Sequence, residues 1–368
     1  MLVLEPPRTR YDLRFRLAGF PVRVHPAFWL TGAILGFTGT EQFDAIELLL
    51  WMLVVFVSIL VHELGHALAV RRCGWVSRII LYHLGGLATI ESPRDPLFGE
   101  EEELPAGKKI AIAAAGPLAG FALAGIVIAG LYAAPIHFEV ARSDVVGLGF
   151  SHDLDRSHYP RPVNELNAHL GVIRTFAKNP LSVDEEAEAE AALDEQANAK
   201  KRAEIERYHG AISKIADLTR TPIPRDASPA EVEQVASEAV ARYARNRRIG
   251  SLIGDVLFVN IFWGLINLLP VFPLDGGQIT RELFCLRHPR AGLEKTLLLS
   301  TIVAAVVGLA GLVHFLRVGS TSTGIFFGLM FGLLAFINYR VLQQLRAMGG
   351  PPEADDYGGY EPEEWWKR

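Results

Sequence analysis

Residues 48–70 read LLLWMLVVFVSILVHELGHALAV, and the reading of this stretch decides the rest. From Leu48 to Val61 there is no Asp, Glu, Lys or Arg, and the apolar residues cover every side of a helix rather than one stripe. A helix that is apolar all round belongs inside a large core or a bilayer. The run then continues in helical register past His62, Glu63 and His66, which stand where polar groups are most expensive. By insertion scales an acidic residue at the middle of a membrane helix costs about 2.5 to 3.5 kcal/mol. Such residues persist when they do something.

Five further charge-free runs lie outside this one: Val24–Thr40, Ile110–Phe138, Val256–Leu274, Thr296–Leu316 and Val318–Tyr339. A bilayer core needs about 20 predominantly apolar residues in a helix, so the runs predict an all-α polytopic membrane protein with about six transmembrane helices, the first of marginal length. Whole-chain composition disguises this. The 368 residues are 50% hydrophobic and 21% charged, figures a soluble globule would also give. A net charge of -5 excludes a generally basic nucleic-acid binder, so no nucleic-acid partner is expected. Two cysteines exclude a disulfide framework and a four-cysteine zinc site.

Charge asymmetry orients the spans. Arg8, Arg10, Arg14, Arg16 and Arg23 precede the first run, acidic Glu41 and Asp44 follow it, and Arg71, Arg72 and Arg78 follow the second. Lys and Arg accumulate in cytoplasmic loops, which predicts a cytoplasmic N-terminus, and the expected location is the cytoplasmic membrane of a bacterium. Arg245, Arg247 and Arg248, before the fourth run, stand against this count, but long loops obey the rule weakly.

From Glu139 to Asp255 the composition changes, with 16 Lys/Arg and 20 Asp/Glu. Ile205, Tyr208, Ile212 and Ile215 share one helical face, predicting a long helix over Val183–Leu218. Ser228-Pro229-Ala230-Glu231 is a capping box with proline at the first helical position, opening a second helix to about Arg247. The expected organisation is a first membrane half over 1–138, a charged helical insert over 139–250, a second membrane half over 251–345 and a disordered acidic tail over 346–368. The insert is expected to be a helical hairpin, preceded by an irregular or strand-bearing stretch near Phe138–Phe150.

His62 and His66 stand at i and i+4, so both imidazoles face one side of the helix and can reach one metal ion. Glu63 is close enough in angle to touch a water at that ion. This is the arrangement of a zinc hydrolase, with two nitrogen ligands, an open coordination position and a carboxylate base. A catalytic zinc takes three protein ligands, and the third must come from another helix. Asn267-Leu268-Leu269-Pro270-Val271-Phe272-Pro273-Leu274-Asp275-Gly276-Gly277 contains two prolines that a regular helix interior does not accept. Asp275 emerges from that loosened stretch and is the candidate third ligand, set against the plainer reading of Asp-Gly as a turn.

The pair HELGH and NLLPVFPLDGG resembles the site-2 protease family of intramembrane zinc metalloproteases. The resemblance implies one zinc ion held by His62, His66 and Asp275, with Glu63 as the catalytic general base. It implies that Asn267 contacts substrate or the developing oxyanion. His83-Leu84-Gly85-Gly86-Leu87 resembles the family's glycine-containing β-hairpin after the histidine helix, with Gly85 and Gly86 binding extended substrate. Ala115-Gly116-Pro117 resembles the family's small-residue patch. The implied function is an endopeptidase hydrolysing peptide bonds within or next to transmembrane segments of membrane-protein substrates, with the lipid bilayer as its other partner. The alternative is a metal-binding membrane scaffold or transporter without hydrolysis, for which Glu63 has no use.

Overall fold

Leu13-Arg14-Phe15-Arg16-Leu17 alternates apolar and basic residues, the two-residue period of a strand. In a computed structural model, which describes residues 7–36, 45–82, 85–91, 104–133, 160–178, 195–224, 227–318 and 322–347, this stretch is strand β1, Leu13–Leu17. It turns through Ala18 and Gly19 into β2, Phe20–Val24. Both turn residues have positive φ, 50° and 88°, as a two-residue hairpin that follows the strand twist requires. Beyond α1, Pro26–Gly36, and α2, Ala45–Arg72, come β3, Val76–Tyr82, and β4, Gly85–Glu91. The strands form one sheet in the order β1-β2-β3-β4, with β2 and β3 parallel and the two hairpins antiparallel. The β3–β4 hairpin was expected. The β1–β2 hairpin is an addition, its arginines alternating with apolar residues along the strand.

The apolar face of this sheet lies against α1 and α2. Val22, Val24, Ile79 and Leu81 pack with Phe28, Val54, Val55 and Ile59 in one buried cluster. At the end of α2, Arg71 donates from Nη1 to the Ala18 carbonyl at 2.9 Å, and its guanidinium covers the Phe20 ring. The first apolar run starts later than expected: Val24 belongs to β2, and the described part of α1 has 11 residues, about 16 Å at the helical rise. Proline at the first helical position sets where α1 begins.

Helix α3, Ala106–Ala133, returns against α2. In the insert, α4, Pro160–Lys178, and α5, Glu195–Thr219, pack with the first part of α6, Pro229–Phe258. Leu166, Leu170 and Ile173 of α4 meet Tyr208, Ile212 and Ile215 of α5 and Val232, Ala236 and Val240 of α6 in a separate core. The expected hairpin is thus a three-helix bundle, α4 being the element not anticipated. The stretches 183–194 and Phe138–Phe150, and the tail from Gly349, lie outside the described residues.

A second correction concerns the junction of insert and membrane. Helix α6 does not stop near Arg247. It runs on through a π-helical turn, Val259–Trp263, into α7, Gly264–Asn267. Gly250 and Gly254 each cost a helix only about 1 kcal/mol relative to alanine, and no proline intervenes to force a break. The continuous element Pro229–Asn267 has 39 residues. A short loop leads to α8, Asp275–Arg287, followed by α9, Gly292–Val318, and α10, Ser322–Ala347.

Among the described residues four helices are long and apolar enough to cross a membrane: Ala45–Arg72, Ala106–Ala133, Pro229–Asn267 and Gly292–Arg317. Their outer faces show what solvent they expect. Leu49, Leu53 and Val57 on α2, and Ile302, Val306 and Leu309 on α9, recur at helical spacing and are all exposed. Continuous apolar stripes of this kind suit lipid rather than water.

The cap at Ser228 is as the sequence requires. Its hydroxyl accepts from the Glu231 N–H, and Glu231 accepts from the Ser228 N–H at 3.0 Å. Ser228→Ala is expected to lower the stability of the insert by about 1 kcal/mol. Hydrogen exchange of the full-length protein reads this as faster exchange at the first turn of α6, with the membrane helices unchanged.

Candidate active site

The i, i+4 spacing places His62 and His66 on one face of α2, and that face is buried. Their Nε2 atoms stand 3.1 Å apart. Asp275 reaches between them, Oδ2 at 3.1 Å from His62 Nε2 and Oδ1 at 3.4 Å from His66 Nε2. None of the three residues is more than 8% exposed, and Asp275 Oδ2 is buried without a hydrogen bond. The donor set fits a zinc ion. With zinc–nitrogen and zinc–oxygen distances near 2.1 Å, two ligand atoms at the tetrahedral angle are about 3.4 Å apart. His66 Nδ1 lies 2.7 Å from the Ile112 carbonyl, which can only accept, so Nδ1 carries the proton and Nε2 keeps its lone pair.

Glu63 stands one step further out. One donor atom from each of His62, Glu63 and His66 lies within 4.8 Å of the others. That spacing brings the Glu63 carboxylate within reach of an ion shared with the histidines, and of a water beside it. Strand β4 holds it. Its carboxylate accepts from the Ala88 backbone N–H, and Gly86, two residues earlier on the same strand face, lies directly against it. A Cβ at Gly86 would overlap the Glu63 carboxylate. Gly86 therefore makes room for the acidic side chain, a role its sequence context did not suggest. Gly85 opens the strand at φ +117°, where L residues are strained. His83 and Leu84, between the strands, lie outside the described residues.

Two other glycine positions are needed for close approach. A Cβ at Gly116 would collide with both imidazoles, and one at Gly65 with the α3 backbone at Ala115. So α2 and α3 come together at the turn that carries the two histidines. Gly276 and Gly277 do the same for the other half of the site, lying against the backbone of Leu268, Leu269, Val271 and Phe272. Here the turn reading of Asp275 is corrected: Asp275 is the first residue of α8, where the helix dipole favours a negative charge. Asn267 is buried at the end of α7, one loop before it.

One contact missed in the sequence ties the halves together. Asn260, in the π-helical turn, donates from Nδ2 to Ser58 Oγ at 2.9 Å and to the Val256 carbonyl at 2.8 Å. Ser58 lies one turn before His62. Asn260 opposite Ser58, and Asp275 opposite His62 and His66, tie the α6–α7 element and the helix after it to α2. The signal in the sequence is a polar residue inside a charge-free run, as Ser58 and Asn260 both are.

The chain matches Peptidase family M50 over residues 50–310, most of its length, and it belongs to that family. With its apolar helices, this makes it an integral membrane protein. It is similar to a zinc metalloprotease of Methanocaldococcus jannaschii, 29% identical over 123 residues. That match covers 32% of this chain and 32% of the relative, so the chain spans about a third of the length of the curated protein it matches. A solved site-2 protease from Methanocaldococcus jannaschii aligns with 90% of this chain and 94% of its own, at 16% identity and a TM-score of 0.41.

Gly116→Val places a branched side chain where the imidazoles stand, and the purified protein is expected to lose its zinc, measured by elemental analysis. Gly86→Ala is expected to displace the Glu63 carboxylate without loss of zinc, and turnover that uses that carboxylate is expected to fall by about 100-fold or more. Wild-type turnover by the alanine variant would refute the packing role given to Gly86.

Proposed function

We propose that this protein is a zinc-dependent endopeptidase that hydrolyses peptide bonds within or next to transmembrane segments of other membrane proteins. The observation that carries this reading is the convergence of His62, His66 and Asp275 at zinc-ligand spacing inside apolar helices, with Glu63 beside them. His62, His66 and Asp275 would hold the ion. When bound there, zinc lowers the pKa of water to about 7 and polarises a carbonyl. Family membership and the zinc metalloprotease similarity support the same chemistry.

Glu63 takes the proton of the water that attacks the scissile carbonyl and passes it to the leaving amine. Its placement by β4 holds the carboxylate on the side of the two histidines for both transfers. Asn267 is the candidate second donor to the developing oxyanion, by its burial just upstream of Asp275. A helical substrate hides its amides, so it must open locally before attack. Gly85 and Gly86 begin an outer strand of the sheet, which favours taking up the opened segment in extended form. Substrates whose spans contain helix-breaking residues are the preferred class.

The bilayer arrangement of this reading has six membrane segments. Besides the four long helices, α1 enters the membrane without crossing it in its described part. Helix α10 crosses beside α9, its exposed Leu329, Leu333 and Phe336 forming an apolar stripe at helical spacing. The N-terminus and the zinc lie toward the cytoplasm, and the 139–250 insert lies on the opposite side.

Glu63→Gln is expected to abolish cleavage, by at least about 100-fold, while zinc stays bound. His62→Ala is expected to lose both. Proteomics on cells carrying the Glu63 variant reads the substrates as membrane proteins that accumulate uncleaved. Undiminished cleavage by the Gln variant would overturn the assignment, and zinc occupancy without turnover by the wild type against such substrates would favour a non-hydrolytic metal site.

A further inference from the structure

The loop from Leu268 to Leu274 decides where Asp275 stands. Pro270 and Pro273 remove two backbone donors from it, and it lies next to apolar helices, so its remaining polar groups need partners from elsewhere. At Phe272 both of them find one. Its N–H donates to Ser300 Oγ at 3.0 Å, and its carbonyl accepts from Asn338 Nδ2 at 2.6 Å. Ser300 Oγ also donates to the Pro270 carbonyl at 3.3 Å. Ser300 belongs to α9 and Asn338 to α10, and both are 0% exposed. Asn338 Nδ2 donates in addition to the Leu334 carbonyl at 2.8 Å. Two carbonyl acceptors settle the orientation of that amide.

Neither residue belongs to a motif that touches the metal-binding side chains. Both sit in apolar helices, where a polar side chain needs a reason to be retained. Phe272 is three residues before Asp275, and the loop between them is tight. Leu274 N–H donates to the Val271 carbonyl at 2.8 Å, and Gln278 Nε2 donates to the Pro273 carbonyl at 3.2 Å. Gly276 and Gly277 press against the same loop backbone. A displacement of the Phe272 peptide therefore carries Asp275 with it.

We infer that Ser300 and Asn338 are positioning residues for Asp275. Acting through the Phe272 peptide, they hold the carboxylate at the separation from His62 and His66 that a metal ion needs. The two last membrane helices thus set the geometry of a site to which they contribute no ligand. This inference rests on the metal-binding reading of the three ligands. Groups that orient metal ligands from behind are worth about 10- to 100-fold in metal affinity.

The test uses the full-length protein in lipid nanodiscs, with zinc affinity measured against a competing chelator and the ligand field read from the visible spectrum of the cobalt-substituted form. Asn338→Leu, close in size but without donors, and Ser300→Ala are expected to weaken zinc binding about 10- to 100-fold and to alter the cobalt bands. Leu342→Ala removes a buried side chain from the α9–α10 contact outside this loop and serves as control. It is expected to lower thermal stability while leaving affinity and spectrum unchanged. Wild-type affinity and spectrum in both Asn338→Leu and Ser300→Ala would overturn the inference, as would an equal loss in Leu342→Ala. If Asn338→Leu does not fold, Ser300→Ala, which deletes one oxygen atom, decides. A wild type that takes up no zinc fails the metal reading itself, whereas a wild type that binds with unaffected variants fails only this inference.

Discussion

Two imidazoles and a carboxylate meeting in an apolar interior is the constraint on which the rest of this structure depends. Each group brought there alone would lose its hydration without recompense. Together they can satisfy one another around a cation, and the spacings of 3.1, 3.1 and 3.4 Å fit such an ion. The requirement reaches outward. It demands that α3 pass close to α2, hence glycines at 65 and 116, and that a loop fold back tightly over α8, hence glycines at 276 and 277. It also demands a proton on His66 Nδ1, which the Ile112 carbonyl supplies the reason for.

Around that centre, polar side chains in apolar helices do the work of alignment. Ser58 and Asn260 link α2 to the element that ends at Asn267. Ser300 and Asn338 reach the loop that ends at Asp275. With little water to compete, each such bond resists sliding of one helix past another more firmly than apolar packing does. The sheet serves the same end from outside the bundle, since β4 seats Glu63 by one backbone N–H and one bare α-carbon.

Much of the site was legible because its spacing is local. A histidine pair one helical turn apart has only one geometry on a helix, so HELGH announces a shared metal before any fold is known. Asp275 was legible for a different reason, as an acidic residue adjoining an apolar run broken by prolines. The β1–β2 hairpin escaped because alternation in Leu13–Leu17 was masked by attention to charge. The α4 helix carries helical spacing in Leu166, Leu170 and Ile173, but the residues it packs against are far away in sequence. The join of insert and membrane helix escaped because a change in composition need not be a change in backbone.

The sequence by itself determined which residues are the candidates for the chemistry and that they lie among helices suited to lipid, because both follow from periods and spacings within single segments. Only the tertiary structure decided how those residues are held. That Gly86 makes room for Glu63, that Gly116 admits the imidazoles, and that Phe272 is gripped from α9 and α10 are contacts between segments distant along the chain. No local pattern records which backbone will pass within van der Waals reach of which side chain. That depends on how the helices pack, and packing is a property of the whole fold.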